Sequence, residues 1–192
     1  MAGKPCLDLI GIPQHIVQYA SCSLCFVTER DYRVYLVFLA EISRTFECQV
    51  HAYALMRNRV HLLVTPMIGH GVSCMMQALG RCYLRYLNGK HNRTGALWEG
   101  RYQTFAVKEE RHVLARYFEI ECNPMRAGMV GIPGDYRWTS HHFNGYGAAD
   151  KVVVPHGEYL RLGAAAQERQ SVYRSMFGMA QARGAQAPQI RI

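Results

Sequence analysis

The chain has 192 residues, of which 49% are hydrophobic, so it can bury one sizeable core. We expect one domain at 1–147 and a C-terminal helical extension with a loose tail at 148–192. The formal charge of +8 favours a polyanionic partner, usually nucleic acid. No stretch offers the roughly eighteen apolar residues of a membrane span, and the N-terminus lacks the pattern of a signal peptide. We therefore expect a soluble, cytoplasmic protein without a membrane partner.

The seven cysteines are best interpreted as reduced thiols, because the cytosol does not maintain structural disulfides. Cys22 and Cys25 form one CxxC pair. A structural zinc site needs four ligands, and no second CxxC is available to complete one. This pair therefore does not indicate a metal or redox site.

The first third of the chain alternates between strand and helix periodicity. Thr28 is a plausible N-cap for a helix that begins after it. Arg57 and Asn58 are assigned to the turn of a predicted β-hairpin. Apolar residues at helical spacing predict that helix, and β-branched runs predict the strands. The predicted elements are a strand at 9–19, a helix at 29–46, and paired strands at 48–56 and 60–65.

In the second part of the chain this alternation occurs once more, and the periodicity is weaker beyond it. The predicted elements are a helix at 72–87, a strand at 100–107, a helix at 110–122 that stops before Pro124, and a helix at 168–180. A turn is expected at 133–135 and a mobile loop at 145–150. The order β-α-β-β-α-β predicts an α+β, ferredoxin-like antiparallel sheet with helices on one face, followed by an added helix.

Two polar residues lie on one face of the strand that begins the second half of the hairpin. Side chains alternate along a strand, so Arg59 and His61 point the same way while Val60 points to the other side. A polar pair on a core strand is the geometry of a metal or phosphate site. The alternative is that His61 is an ordinary buried sheet residue.

A cluster of cationic and aromatic residues follows in the next helix and loop. Arg81 and Arg85 are one helical turn apart on the polar side of the helix. Arginine can neutralise phosphates while aromatic rings stack on bases, so the cluster indicates nucleic-acid binding. A solvated helix face is the alternative interpretation. The candidate DNA-binding residues are Arg81, Arg85, Lys90, Arg93, Trp98, Arg101 and Tyr102.

Several segments carry a resemblance to a known family. They include GIPQHIVQ, VHLLVTP, RTGALWEGRY and IECNPMRAGMV, in this order between about Leu9 and His142. The chain resembles the REP-associated tyrosine transposases, a branch of the single-tyrosine HUH transposases of small bacterial insertion sequences. The resemblance implies that 1–147 is a ferredoxin-like HUH domain. We expect the chain to be a monomer or homodimer. The resemblance also implies cleavage of single-stranded or hairpin DNA through a phosphotyrosine, with an Mg²⁺ or Mn²⁺ cofactor that we expect to be weakly bound or absent in this chain.

Two of the four positions that the resemblance assigns to chemistry carry the wrong residue. The family's NHVHLL motif places Arg59 and His61 at the two metal-binding histidines. Its YIExNP motif places Glu119 at the nucleophilic tyrosine and Asn123 at the third metal ligand. Arginine has no lone pair to give a metal, and a carboxylate replaces the phenol that should attack phosphate. Tyr117 is an alternative nucleophile, but it lies about 200° around the helix from Glu119.

These substitutions predict a DNA-binding protein of the transposase family that is impaired in cleavage. One alternative is an active metal-dependent transposase that uses Tyr117, and a second is a nonfunctional copy that merely folds. If the helix at 110–122 packs over the sheet, Arg59 and Glu119 face each other. We then expect them to form an ion pair in the space of the lost metal. The alternative is that Arg59 reaches solvent or phosphate from the end of the hairpin.

Overall fold

The computed structural model describes residues 9–21, 24–91 and 94–182, with side chains up to residue 178. Cys22 and Arg93, which carry two of the predictions, lie outside the described residues. The strands are β1 (Gln14–Tyr19), β2 (Cys48–Met56), β3 (Arg59–Pro66) and β4 (Gln103–Ala106). The α-helices are α1 (Glu29–Thr45), α2 (Gly71–His91), α3 (Val113–Arg126), α4 (His141–Tyr146), α5 (Gly157–Leu160) and α6 (Ala166–Ala182).

The four strands form one sheet in the order β2-β3-β1-β4, with every neighbouring pair antiparallel. This is the ferredoxin-like arrangement that the order of the elements predicted. The hairpin of β2 and β3 is also confirmed. In the centre of the sheet, Val17 pairs with His61 and Tyr19 pairs with Arg59. The end of β1 therefore lies beside the hairpin turn.

Helices cover the two faces of the sheet differently. α1 and α2 pack on one face, over a core that includes Ile16, Leu62 and Tyr35. α3 packs on the other face of β2 and β3, against residues such as Leu63. Leu63 and His61 share a face because side chains alternate along a strand. His61 and Arg59 therefore lie on the α3 face, together on one side as predicted.

Several element boundaries differ from their predictions, and two of these differences have a clear local cause. β1 begins at Gln14 rather than Leu9, since a turn with Gly11 at φ 73° precedes it. α3 continues through Pro124 to Arg126, so the predicted stop before this proline is wrong. Proline in the last turn removes one N–H donor and frees the carbonyl of Ile120, a small loss near a helix end. The helix ends at Arg126, and Gly128 follows shortly after it with φ 68°, a left-handed conformation that is common after a helix end.

The segment after α4 is fixed to the sheet by hydrogen bonds. The Tyr53 hydroxyl donates to Asp150 at 2.7 Å, and the amide of Val154 donates to the carbonyl of Val50 at 2.8 Å. These bonds do not support the expected mobile loop at 145–150. The predicted helix at 168–180 is confirmed as part of α6. Among the described residues, no helix has both the length and the apolar character needed to cross a bilayer.

Candidate functional site

Two histidines form the floor of the site on the α3 face of the sheet. His15 of β1 and His61 of β3 are buried, and His15 Nε2 lies 3.1 Å from His61 Nδ1. Burial lowers the pKa of His15 to about 4, with Glu119 acting against this shift and Arg116 adding to it. Burial, followed by the charge effects of His15 and Arg59, lowers the pKa of His61 to about 3. Both rings are therefore neutral at physiological pH.

His15 was missed as a site residue in the sequence. The sequence contained part of the signal, since both histidines lie in predicted strands. In the structure β1 is antiparallel to β3, and the two histidines lie on the same face of the sheet. The register, which decides whether the two rings meet, could not be obtained from periodicity alone.

Arg59 lies at the edge of this floor and is half-buried. Its side chain makes no hydrogen bond or ion pair with any residue that the structure describes, and its Nε is buried without a partner. The expected Arg59–Glu119 ion pair does not form. Glu119 Oε2 instead contacts Arg116 Nη1 at 2.5 Å, one turn away on the same helix. A local partner on α3 thus replaces the predicted partner across the sheet.

Asn123, the predicted third ligand, points along its own helix. Its Nδ2 donates to the carbonyl of Glu119 at 3.1 Å. No hydrogen bond joins Asn123 to His61 within the described part of the chain. In the same residues, no group of three His, Cys, Asp or Glu side chains could hold a metal ion.

Tyr117, the alternative nucleophile, is fully buried, and it lies about 200° around α3 from Glu119. Its hydroxyl accepts a hydrogen bond from the amide of His156 at 3.1 Å, and its ring stacks near Tyr159. Burial raises its pKa far above the ordinary value. A nucleophile must reach the scissile phosphate as an oxygen that can lose its proton. The packing of Tyr117 therefore disfavours that role.

The predicted cationic and aromatic residues meet in one groove between α2 and the segment at 96–102. We call this the α2 groove, and its volume is about 620 Å³. The guanidinium of Arg101 lies 5.6 Å from the centre of the Tyr102 ring. Trp98 packs beside Gly80 of α2, where a Cβ would meet the indole Nε1 at 3.6 Å. Four predicted DNA-binding residues line the groove: Arg81, Trp98, Arg101 and Tyr102.

The other predicted DNA-binding residues that the structure describes do not line the α2 groove. Arg85 is exposed on α2 but does not line the groove. Lys90 Nζ donates to Asp31 Oδ1 and to Thr28 Oγ1, each at 2.7 Å. Burial alone would raise the pKa of Asp31, but hydrogen bonds from Lys90 and the backbone of Thr28 outweigh it and hold the pKa below its ordinary value. Lys90 thus stabilises the start of α1.

The structure contains a second cleft that the sequence did not predict. We call it the hairpin cleft, with a volume of about 910 Å³. Its lining comes from the β2–β3 turn, the start of α1, and residues 127–138. These segments lie far apart in the chain, so no local sequence pattern predicts the cleft. Arg57, Asn58 and Arg59 form one wall, and Trp138 lies on another side.

Comparisons with known proteins give a matching family model and similar solved structures. A family model described as "Transposase IS200 like" matches residues 12–121. A solved REP-associated tyrosine transposase bound to a REP hairpin is similar with a TM-score of 0.66 and 12% identity, over 81% of this chain and 93% of that one. A putative transposase from Deinococcus radiodurans R1 aligns at 21% identity, with a TM-score of 0.42, over 62% and 96% of the two chains. No curated protein matches the sequence.

Proposed function

Because the chain belongs to the IS200-like transposase family, we propose that it binds single-stranded or hairpin DNA and is impaired in cleaving it. The observation that carries this proposal is the α2 groove, where two arginines and two aromatic residues converge. The similar solved transposase, described as bound to a REP hairpin, supports DNA as the partner.

The α2 groove has the composition that nucleic acid requires. Arg81 and Arg101 are exposed and can neutralise phosphates, while the partly buried rings of Trp98 and Tyr102 offer apolar surface to a base. Arg101 lies close to the Tyr102 ring, so its side chain is held near the groove. The net charge of +8 adds long-range attraction for DNA.

The residues at the family's metal position do not fit a divalent ion. Arg59 stands where the family has one of its two metal-binding histidines, and a guanidinium has no lone pair to give; one nitrogen of His61 is also taken up by its contact with His15. Arg59 places a fixed positive charge beside them, which repels a cation. The Asn123 amide is engaged by its own helix.

The nucleophile position also lacks the required chemistry. Glu119 is a carboxylate already paired with Arg116, and an anion is repelled by the phosphate that it would have to attack. Impaired cleavage follows from Arg59 and Glu119 together. Binding of a hairpin in the α2 groove requires neither residue, because this groove lies on the other face of the sheet.

The binding proposal is tested by the salt dependence of affinity for a DNA hairpin derived from an extragenic palindrome. Affinity should fall steeply as salt rises. Arg81→Ala and Arg101→Ala should each weaken binding and reduce the slope of log affinity against log salt by roughly one unit, since each removes one phosphate contact. Fluorescence anisotropy at four salt concentrations measures both quantities.

Arg111→Ala is the matched control, because Arg111 is 76% exposed and paired with Glu109. It removes the same charge from the chain without touching the α2 groove, so the slope should stay unchanged. Salt-independent binding, or equal effects of all three substitutions, would contradict binding through the groove.

A further inference from the structure

A small pocket lies between α4, α6 and the segment at 132–134, and it shares no lining residue with the α2 groove or the hairpin cleft. Its volume is about 160 Å³. We propose that this α4–α6 pocket binds a small carboxylate that carries a short apolar chain. Binding there is independent of the proposed binding of DNA. The side chains of the lining include Ile132, Pro133, His141, Tyr146, Arg174 and Phe177.

His141 presents an unfilled hydrogen-bonding nitrogen to the pocket. The residue is only 3% exposed, and its Nδ1 lies 2.9 Å from Glu121 Oε2. Because His141 also lines the pocket, the edge of the ring that carries Nε2 is the edge that faces it. Beside Nε2 the chain has Gly145, where an added Cβ would lie 3.5 Å from this nitrogen. No described residue bonds to Nε2, so a ligand can supply the missing partner.

Arg174 supplies a cation to the same pocket. Its Nη1 donates to the carbonyl of Gly145, and its guanidinium lies 5.3 Å from the centre of the Tyr146 ring. These two contacts hold the guanidinium in place. No carboxylate of the described chain pairs with it, so its other N–H groups are available to a ligand. Since no Asp or Glu is among the described residues that line the pocket, the charges favour an anion.

The rest of the lining is apolar and limits the shape of the ligand. Phe177 is 5% exposed, and its ring centroid lies 4.4 Å from that of His141. Pro133 is buried, and Ile132 is half-exposed at the rim. An inorganic anion would leave this apolar surface in water, whereas a short hydrocarbon chain would cover it. The pocket has room for roughly five molecules of the size of water, so the chain is limited to a few carbon atoms.

A carboxylate in the pocket completes contacts that the chain leaves open. One oxygen can accept from Arg174 and the other from His141, whose imidazole then donates from both nitrogens, to the ligand and to Glu121. The Tyr146 hydroxyl bonds to no described residue and is a third donor. Because Glu121 already joins α3 to α4 and α6, a ligand held here stabilises the same junction and should raise the melting temperature.

The test uses butyrate as the probe and butyramide as its neutral control of nearly the same shape. In a titration of the isotope-labelled full chain by nuclear magnetic resonance, butyrate should bind with a Kd of about 1 mM. The amide signals of Gly145 and Arg174 and the Nε2 signal of His141 should shift. Butyramide should bind at least about tenfold more weakly, because it lacks the charge that the guanidinium attracts. Phosphate should also bind at least about tenfold more weakly, since it has no apolar chain.

Variants of Arg174 locate the site. Arg174→Gln should weaken butyrate binding at least about tenfold, and Arg174→Lys should lose less because it keeps the charge. Tyr146→Phe should weaken binding about two- to threefold through the loss of one neutral donor. Arg111→Gln is the matched control, since it removes an exposed charge elsewhere and should keep the full affinity. Thermal unfolding without ligand shows whether each variant is folded.

Three results would overturn the carboxylate site. They are an absence of shifts at Gly145, Arg174 and His141 at about 50 mM butyrate, equal affinities for butyrate and butyramide, and unchanged affinity in a folded Arg174→Gln. If Arg174→Gln does not fold, the Nε2 signal of His141 and the comparison of butyrate with butyramide decide. DNA binding by the α2 groove stands or fails separately, because neither DNA nor any residue of that groove enters this test.

Discussion

At the scale of the residue, buried imidazoles make stability sensitive to acid. His51 is fully buried, with Nδ1 2.7 Å from the carbonyl of Val154 and Nε2 2.8 Å from the Thr65 hydroxyl. The rings of His156 and Tyr117 lie beside it. Burial lowers the pKa of His51 to about 4, and His156 adds to the shift while the bond to Val154 opposes it. Its protonation therefore favours unfolding.

The first prediction is a loss of stability between pH 6.5 and about 4, for which His51 is one source. The pKa is lower in the folded chain than in the unfolded chain, so the unfolded chain binds more protons in this window. The stability contributed by the neutral ring is complete above pH 6.5 and is lost as pH falls toward 4. Between pH 7.5 and pH 5, His51 should account for about 2 kcal/mol of the loss.

Urea unfolding of the unmodified protein and of His51→Gln at these two pH values measures this effect. The glutamine can keep a hydrogen bond but does not titrate, so the difference between the pH values should be smaller in the variant. An identical pH dependence in both proteins would show that His51 does not contribute.

At the family's metal and nucleophile positions, the sequence predicted where side chains lie but not which partners they bind. Alternation along a strand correctly placed Arg59 and His61 on one face. It could not show that Glu119 would bond to Arg116 on its own helix rather than to Arg59 across the sheet. The local pair forms at little entropic cost, because both side chains extend from one rigid helix.

At the scale of the element, one buried carboxylate joins three helices. Glu121 of α3 is fully buried and accepts from Ser140 Oγ at 2.6 Å, His141 Nδ1 at 2.9 Å, Asn144 Nδ2 at 2.8 Å and the Tyr173 hydroxyl at 2.8 Å. These donors come from α4, the residue before it, and α6. The network fixes α3 against the C-terminal helices, and α3 carries Glu119 and Asn123 over the site.

Glu121→Gln should destabilise the protein by about 3 kcal/mol. The NH₂ group of the glutamine is itself a donor, so in this buried site it would face hydrogen-bond donors without an acceptor. Glu110→Gln is the matched control, since Glu110 is 74% exposed and its ion pair with Arg161 contributes little. Thermal unfolding at pH 7.5 compares the two variants. A loss in Glu121→Gln no larger than in Glu110→Gln would contradict the role of the network.

The elements themselves were largely predictable, and this network was not. Hydrophobic periodicity located the four strands and the helices α1, α2, α3 and α6. It missed α4 and α5, which are short and depend on tertiary contacts. The partners of Glu121 lie 19 to 52 positions further along the chain, so no local pattern identifies them.

At the scale of the whole molecule, both clefts open at the same end of the sheet. The end of β1, the β2–β3 turn and the start of β4 meet there, as the pairing of Tyr19 with Arg59 and of Val17 with Gln103 requires. The sequence predicted the fold and named four of the residues that line the α2 groove. It could not predict the hairpin cleft, whose walls meet only after α3 and the segment to Trp138 fold back onto the turn.

A cleavage assay most directly tests whether this transposase-family chain binds DNA without cutting it. The unmodified protein is incubated with labelled, flanked hairpins and either Mg²⁺ or Mn²⁺. Cut strands and covalent protein–DNA adducts are then measured beside a gel shift. We expect a shifted complex with cleavage absent or at least about 10³-fold slower than for a transposase with an intact site, because the nucleophile position holds a carboxylate. Arg59→His with Glu119→Tyr is the variant to compare. Rapid cleavage with a covalent adduct in the unmodified protein, abolished by Tyr117→Phe, would contradict the proposed function.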